Sequence, residues 1–186
     1  IELLIEAFKK LSVYHENWTL WLVGDNQNEY GQYLVNLVKK YGLENVIKFS
    51  GKVKNVKQYL DHAEIFVLPT KNEGRKEGSP GALLEAMANK KAVLSSDLPG
   101  IKEQLQEFPW YLIQPGSIDS LYKKLSVLIK NTSEKNNIIG EKFMVWVKKR
   151  FDMKKIIEEH EKFYNQILKY NNSKNNYTTE KSGLKR

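Results

Sequence analysis

The sequence has no cysteine and no long hydrophobic run. Without cysteine the 186-residue chain can form neither a disulfide framework nor a thiolate metal site, and this composition fits a reducing cytoplasm. No apolar run approaches the ~20 residues that a membrane-spanning helix needs. An initiator Met is also lacking and the chain starts inside a helical pattern, so we expect it to be a piece of a longer protein.

Hydrophobic and charged residues are both plentiful. A hydrophobic fraction of 41% with 11% aromatic residues is typical of a globular domain. The formal net charge of +8 would suit nucleic acid, an anionic membrane face or a phosphorylated ligand. The basic residues, however, are scattered along helical patterns and interleaved with Glu, with no dense Lys/Arg stripe and no nucleic-acid module. The charge therefore favours a solvated basic surface.

Short apolar strand patterns alternate with helical patterns over most of the chain. The strands are predicted at 18–23, 46–49, 65–68, 92–95 and 110–113, and the helices at 1–14, 30–41, 56–62, 80–89, 118–130, 134–149 and 153–170. This alternation predicts an α/β fold, in which a parallel sheet is covered by helices on both faces. From residue 171 the chain is polar, which predicts one domain at 1–170 and a disordered tail at 171–186.

The longest predicted strand exit, 69–81, leads into the stretch KEGSPGALLEAMANKK at 76–91. Ligands of open parallel sheets bind at the carboxyl ends of the strands, where helix N-termini point. Ser79 suits the N-cap and Pro80 the first helical position. The backbone amides near Gly78, Ser79, Gly81 and Ala82 are therefore expected to attract an anion, above all a phosphate.

Glu85 is the only charged residue between Glu77 and Lys90, in a helix that is apolar on nearly all sides. Such a helix is normally buried, and a buried carboxylate needs hydrogen-bond partners. The vicinal hydroxyls of a ribose would suit its two acceptor oxygens. Alternatively, Glu85 lies on a narrow solvent-facing stripe, and the spacing leaves both readings open. Glu77, in a polar loop, reads from the residues alone as a solvated carboxylate.

The segment 77–88, EGSPGALLEAMA, resembles the Glu-x7-Glu signature of the retaining glycosyltransferase family 4. Four further segments resemble motifs of that family in the same order: 18–24, 46–53 (VIKFSGKV), 63–70 (AEIFVLPT) and 92–100 (AVLSSDLPG). Together they cover most of the chain up to residue 170. One departure is Glu64, which stands where the family has Asp.

The resemblance implies the C-terminal lobe of a GT-B fold, a three-layer α/β/α Rossmann-like domain that binds a nucleotide sugar. Glu85 would then bind the ribose hydroxyls and Glu77 the transferred hexose. The implied site residues are Glu77 as the catalytic residue and Glu85, Gly78, Ser79, Gly81 and Ala82 as substrate-binding residues. The expected reaction transfers a hexose to a glycan or glycolipid acceptor with retention, without a metal or other cofactor.

The resemblance also sets expectations about what accompanies this chain. The first strand of the lobe, the Arg and Lys that clamp the diphosphate, and the N-terminal lobe are expected to precede Ile1, so the chain alone should not turn over substrate. The cell context would be bacterial polysaccharide biosynthesis in the cytoplasm, with peripheral membrane association left open. The alternatives are a phosphorylase or epimerase of the same architecture, and a non-catalytic module that binds nucleic acid or a protein partner.

Some residues invite a functional reading that their context does not support. His62 falls at the end of a short predicted helix, remote in sequence from the other two histidines, and is expected to be structural or exposed. Lys71, Arg75 and Lys76 lie in the long loop and could reach a phosphate, but solvated charges are the simpler reading.

Overall fold

A computed structural model describes residues 1–15, 17–73 and 78–182, with 171–182 described by their backbone alone. Its elements alternate as the sequence predicts. In chain order they are α1 (Glu2–Ser12), β1 (Leu20–Val23), α2 (Glu29–Lys40), β2 (Ile47–Gly51), α3 (Lys57–His62), β3 (Ile65–Leu68), α4 (Gly81–Ala88), β4 (Ala92–Ser96), α5 (Pro99–Gln104), a 3₁₀ turn (Pro109–Tyr111), β5 (Leu112–Ile113), α6 (Ile118–Lys130), α7 (Ser133–Arg150) and α8 (Met153–Ser182).

The strands pair in parallel in two sheets. β1 pairs with β2, with Leu22 opposite Phe49. β4 lies between β3 and β5, with Val67 opposite Leu94. All five residues of β4 are buried, as expected of a strand that is covered on both faces. Parallel strands with flanking helices confirm the predicted α/β class.

One hydrophobic core joins the helices and the strands. In α1 the apolar residues Leu4, Ile5, Phe8 and Leu11 recur at helical spacing and are all buried. They belong to the same core cluster as buried residues of both sheets and of α6. Members of this cluster from the strands and from α6 include Leu22, Ile47, Leu94, Ile113, Leu121, Leu125 and Leu128.

Two elements near the end of the sheet differ from the sequence prediction. The strand predicted at 110–113 is reduced to Leu112–Ile113, because the 3₁₀ turn Pro109–Tyr111 occupies its beginning. The short helix α5 was not predicted at all. It has Pro at its N-terminal positions, which suits a helix start, but the Pro99-Gly100 pair that opens it is also a turn signal.

The chain divides into two compact units, the first being Ile1–Val145 and the second beginning at Trp146. The second contains the end of α7 and the long helix α8, in which Phe163 and Tyr164 are among the exposed aromatic residues. The backbone of α8 continues as helix to Ser182, into the polar segment whose composition predicts disorder. The domain boundary at residue 170 stays a prediction. In the described part of the chain, no helix combines the length and the apolar character needed to cross a membrane.

Candidate functional site

Helix α4 follows β3 through the long connection in which the sequence places the site. Its N-cap is Pro80, in an extended conformation (φ −68°, ψ 116°) and without a side-chain capping bond, and the helix begins at Gly81. The prediction of Ser79 as the N-cap and Pro80 as the first helical residue is therefore wrong by one position. The hydroxyl of Ser79 is instead engaged outside the helix, where it accepts a hydrogen bond from Gln104 Nε2 at 2.8 Å.

Glu85 lies on an exposed face of α4. Leu83, Ala86 and Met87 are fully buried on the other side of the helix. The remaining side chains of the exposed face are small, belonging to Gly81, Ala82 and Ala88. The expectation of a helix buried all round is therefore wrong, because residues without bulky side chains leave one face open. The Glu85 carboxylate occupies the solvent-facing stripe that the spacing had left as one of two readings.

The predicted site residues other than Glu77 fall on one continuous surface segment. Gly78, Ser79, Gly81 and Ala82 are exposed, like Glu85. The amides of a first helical turn have no intrahelical acceptor, and the helix dipole favours negative charge there. Glu77 lies outside the described residues, as do Arg75 and Lys76. The geometry thus brings together an anion-attracting helix start and a carboxylate one turn further along.

Helix α5 supports the turn that leads into α4. Gln104, only 1% exposed, donates from Nε2 to the Ser79 hydroxyl and, at 3.3 Å, to the Pro80 carbonyl. A Cβ placed on Gly100 would lie 1.1 Å from the Gly78 carbonyl oxygen, so only glycine permits this approach of the two backbones. Sequence reasoning missed both residues because it predicted no helix at 99–104.

A groove lies beside the carboxyl end of β3, with a volume of about 310 Å³. This is near the lower end of the ~300–1,000 Å³ typical of small-molecule sites. None of the predicted site residues that the structure describes lines it. The lining consists of Ile1, Glu2, Tyr30, Leu68, Pro69, Thr70 and Lys71. Three strand-exit and helix-start segments therefore meet at this edge, as the parallel topology requires.

A carboxylate forms the polar centre of this groove. The Tyr30 hydroxyl donates to Glu2 Oε2 at 2.8 Å, and Lys71 Nζ lies 3.8 Å from Glu2 Oε1. Burial raises the pKa of Glu2, but hydrogen bonds from its own backbone, from Tyr30 and from the Ile1 ammonium group outweigh burial and lower it to about 2. Burial and the neighbouring Glu2 raise the pKa of Tyr30. At neutral pH the groove therefore offers an ionised acceptor of hydrogen bonds.

No metal site is evident in the described residues, among which no group of three or more His, Cys, Asp or Glu side chains is placed to hold an ion. His62 lies with its Nδ1 2.8 Å from the carbonyl of Gln58, one turn earlier in α3. This contact with its own helix matches the structural role expected of that histidine.

The parallel sheet has its groove at the carboxyl edge of β3, which is where open α/β sheets bind ligands. A family model described as glycosyl transferases group 1 matches residues 1–143 of the chain. The chain therefore belongs to the group 1 glycosyltransferases, and its fold is that of the C-terminal Rossmann-like lobe of GT-B enzymes.

Two curated bacterial proteins illustrate the sequence similarity. The capsular polysaccharide biosynthesis glycosyltransferase CapH of Staphylococcus aureus is 35% identical over 104 residues, 56% of this chain and 28% of that protein. The N-acetyl-alpha-D-glucosaminyl L-malate synthase of Bacillus anthracis is 29% identical over 166 residues, 89% of this chain and 42% of that protein. The chain thus spans less than half the length of these relatives.

Solved structures share the fold. Anabaena Alr3699/HepE, determined in complex with UDP, superposes with a TM-score of 0.78 at 22% identity, over 89% of this chain and 44% of that one. The C-terminal domain of the group 1 glycosyltransferase LpcC from Francisella tularensis gives a TM-score of 0.69 at 25% identity, covering 81% of this chain and 78% of that domain. The second comparison pairs the chain with a domain of similar extent.

Proposed function

We propose that this chain is the donor-binding lobe of a glycosyltransferase that transfers a hexose from a nucleoside diphosphate sugar to a glycan or glycolipid with retention of anomeric configuration. The observation that carries the proposal is the family match over residues 1–143, together with an exposed Glu85 one turn beyond the open helix start of α4. The similarity to the capsular polysaccharide biosynthesis glycosyltransferase CapH and to HepE, which was determined in complex with UDP, supports a nucleoside diphosphate sugar as the donor.

In this proposal the exposed face of α4 receives the donor. The first-turn amides at Gly81 and Ala82, with those of Gly78 and Ser79, approach the diphosphate and the sugar, since the helix N-terminus stabilises negative charge there. Glu85 accepts hydrogen bonds from the two ribose hydroxyls, one on each carboxylate oxygen. The small neighbours of Glu85 leave room for a ribose to approach the helix closely.

Glu77 is proposed as the catalytic residue that contacts the hydroxyls of the transferred hexose, on the strength of the Glu-x7-Glu spacing. The transfer is proposed to need no protein-bound metal or other cofactor, because helix-start amides and basic side chains take the charge of the diphosphate leaving group. The basic side chains would include Arg and Lys residues preceding Ile1. The acceptor is proposed to bind against an N-terminal lobe of the same protein, in the cytoplasm at the inner face of the membrane.

Nucleotide binding tests the proposal directly, in the full-length protein that carries this chain. UDP, GDP and ADP are added in turn, and the thermal midpoint is recorded. A ligand at ~100 times its Kd stabilises the folded state by about 2.7 kcal/mol, so the proper nucleotide should raise the midpoint by several degrees. Glu85→Gln should reduce this rise while the ligand-free midpoint stays near wild type, because the side chain is exposed.

The matched control is Glu134→Gln, an exposed carboxylate in the first turn of α7, which should leave the nucleotide-induced rise unchanged. If none of the nucleoside diphosphates or their sugars shifts the midpoint, the donor-lobe proposal is wrong. With an active donor identified, the anomeric configuration of the product, read by NMR, decides retention, and turnover in excess chelator decides the metal question. Glu77→Gln should lower kcat much more than it weakens nucleotide binding.

A further inference from the structure

Gln104 is a buried amide in a position where an apolar residue would be expected. It is the last residue of α5, near Ile101 and the C-cap residue Leu105, and the three side chains are 1% exposed or less. Burying an amide costs free energy unless it is hydrogen-bonded, with a penalty of ~1–3 kcal/mol for an unsatisfied group. The contacts that satisfy its NH₂ group therefore indicate what the residue is for.

Those contacts lead to the turn before α4. Nε2 donates to the Ser79 hydroxyl oxygen at 2.8 Å and to the Pro80 carbonyl oxygen at 3.3 Å. In the first turn of the same helix α5, Gly100 packs directly against the backbone of Gly78. Three successive residues of the turn are thus held by one short helix, through two independent kinds of contact.

From α4 itself the turn receives one described hydrogen bond, from Leu83 N to the Pro80 carbonyl at 3.2 Å. The N-cap Pro80 has no amide hydrogen, and no side chain caps the helix start. Gly78 and Ser79 are exposed to solvent. Among the described residues, the contacts that hold Gly78 and Ser79 therefore come from α5.

We propose that Gln104 is a positioning residue for the donor: its amide fixes the turn 78–80, and with it the open amides at the start of α4, in the arrangement that receives the nucleoside diphosphate sugar. The inference rests on the proposed function. In this proposal Gln104 acts on the donor through the turn, because it is buried and its NH₂ group donates to Ser79 and Pro80. Its effect is on the position of the turn, and a ~1 Å displacement of groups that position a substrate can lower the rate ~10²-fold.

The test uses Gln104→Met in the full-length protein, because methionine keeps the length and apolar stem of the side chain and removes the hydrogen bonds. The matched control is Asn136→Leu, which removes a second buried amide, 1% exposed, whose Nδ2 donates at 3.0 Å to the Leu128 carbonyl in α6. Both variants lose a buried hydrogen bond, so both are expected to lower the thermal midpoint. Only Gln104→Met should also raise the Kd of the donor and lower kcat/KM, by ~10-fold or more.

A double-mutant cycle separates positioning from general weakening. Ser79→Ala removes one acceptor of the Gln104 amide, so the effects of Ser79→Ala and Gln104→Met on donor Kd should be non-additive. Should Gln104→Met fail to fold, Gly100→Ala supplies the second route, because its Cβ would displace the Gly78 backbone. It should raise the donor Kd in the same way.

The outcomes are distinct. A folded Gln104→Met protein with wild-type donor Kd and kcat/KM overturns the inference and leaves the proposed function intact. The same result for Gly100→Ala, or effects of Gln104→Met no different from those of Asn136→Leu, overturns it too. If the wild-type protein binds no nucleoside diphosphate or nucleotide sugar, the proposed function fails and the positioning role fails with it.

Discussion

At the residue scale, Lys90 occupies a backbone conformation that lysine rarely adopts. Its φ is 59°, in the left-handed region. The reason is the way α4 ends: Lys91 N donates to the Ala86 carbonyl at 3.1 Å and Lys90 N to the Met87 carbonyl at 3.0 Å. These two bonds form a Schellman motif, whose second-last residue is normally glycine. A side chain in this region costs ~1 kcal/mol, because its Cβ crowds the following carbonyl oxygen.

Replacing Lys90 by glycine should therefore stabilise the fold. We expect Lys90→Gly to raise the free energy of unfolding by ~0.5 kcal/mol, measured by urea denaturation, because relief of the left-handed strain exceeds the larger unfolded-state entropy of glycine. The exposed pair that Lys90 Nζ makes with Glu141 at 3.4 Å contributes little. The contrast is Lys142→Gly, in the interior of α7, which should lower stability by ~1 kcal/mol. Equal signs for the two substitutions would contradict this account.

At the element scale, a hydrogen bond joins the start of α1 to the start of α2. Tyr30 in α2 donates to Glu2 in α1, and the pKa of Glu2 is lowered from 4.5 to about 2. A group whose pKa is lower in the folded state stabilises the fold above its unfolded pKa, and this contribution is lost as the pH falls towards the folded value. The window for Glu2 therefore lies between about pH 4.5 and pH 2.

Acid titration of stability tests this link in the 186-residue chain. Urea denaturation at several pH values between 5 and 2 should show a steeper loss of stability in wild type than in Glu2→Gln, since the variant has no proton to take up at this position. Tyr30→Phe removes the hydroxyl that donates to the carboxylate, and should give an intermediate slope. Parallel curves for wild type and Glu2→Gln would show that the carboxylate is not held as described.

The sequence predicts the elements well where the apolar pattern is long or continuous. Strand β3 and helix α6 have the predicted limits, because four successive apolar residues and four helical turns leave little ambiguity. Helix α5 was not predicted because the Pro99-Gly100 pair at its start is typical of a turn. The site stays a prediction: the segment from Gly78 to Glu85 was proposed from its residue types. The contact of Ser79 with Gln104 could not be proposed, because it depends on tertiary packing that brings residues 25 apart in sequence together.

The groove beside β3 was not predicted either, because it is formed by residues that are distant in sequence. Lys71 was interpreted from its loop position as a solvated charge. In the structure its Nζ lies near the carboxylate of Glu2, at the start of the chain. Glu2 and Tyr30 were not considered, since each belongs to an ordinary amphipathic helix. Only the parallel topology, which gathers the carboxyl ends of strands and the starts of helices at one edge, places them beside β3.

At the scale of the whole molecule, the net charge of +8 is compatible with the alternative function of nucleic acid binding. The donor-lobe proposal predicts only weak, non-specific binding of a random single-stranded oligonucleotide, with an affinity that falls steeply with salt. Fluorescence anisotropy at 50 and 200 mM salt measures it, and Glu85→Gln should leave it unchanged. If the oligonucleotide binds tightly at 200 mM salt and no nucleoside diphosphate competes with it, the alternative function is favoured instead.

The separation of the strands into two sheets has a consequence for how the first unit opens. No backbone hydrogen bond of a described strand links the β1–β2 pair with the β3–β4–β5 sheet, whereas side chains of both contribute to one hydrophobic core. In the 186-residue chain by itself, shared side-chain packing alone therefore joins the two sheets, and either sheet can open without disrupting the ladder of the other. Slow amide exchange would then resolve two cooperative blocks, and the block of β4, fully buried, would be the last to exchange.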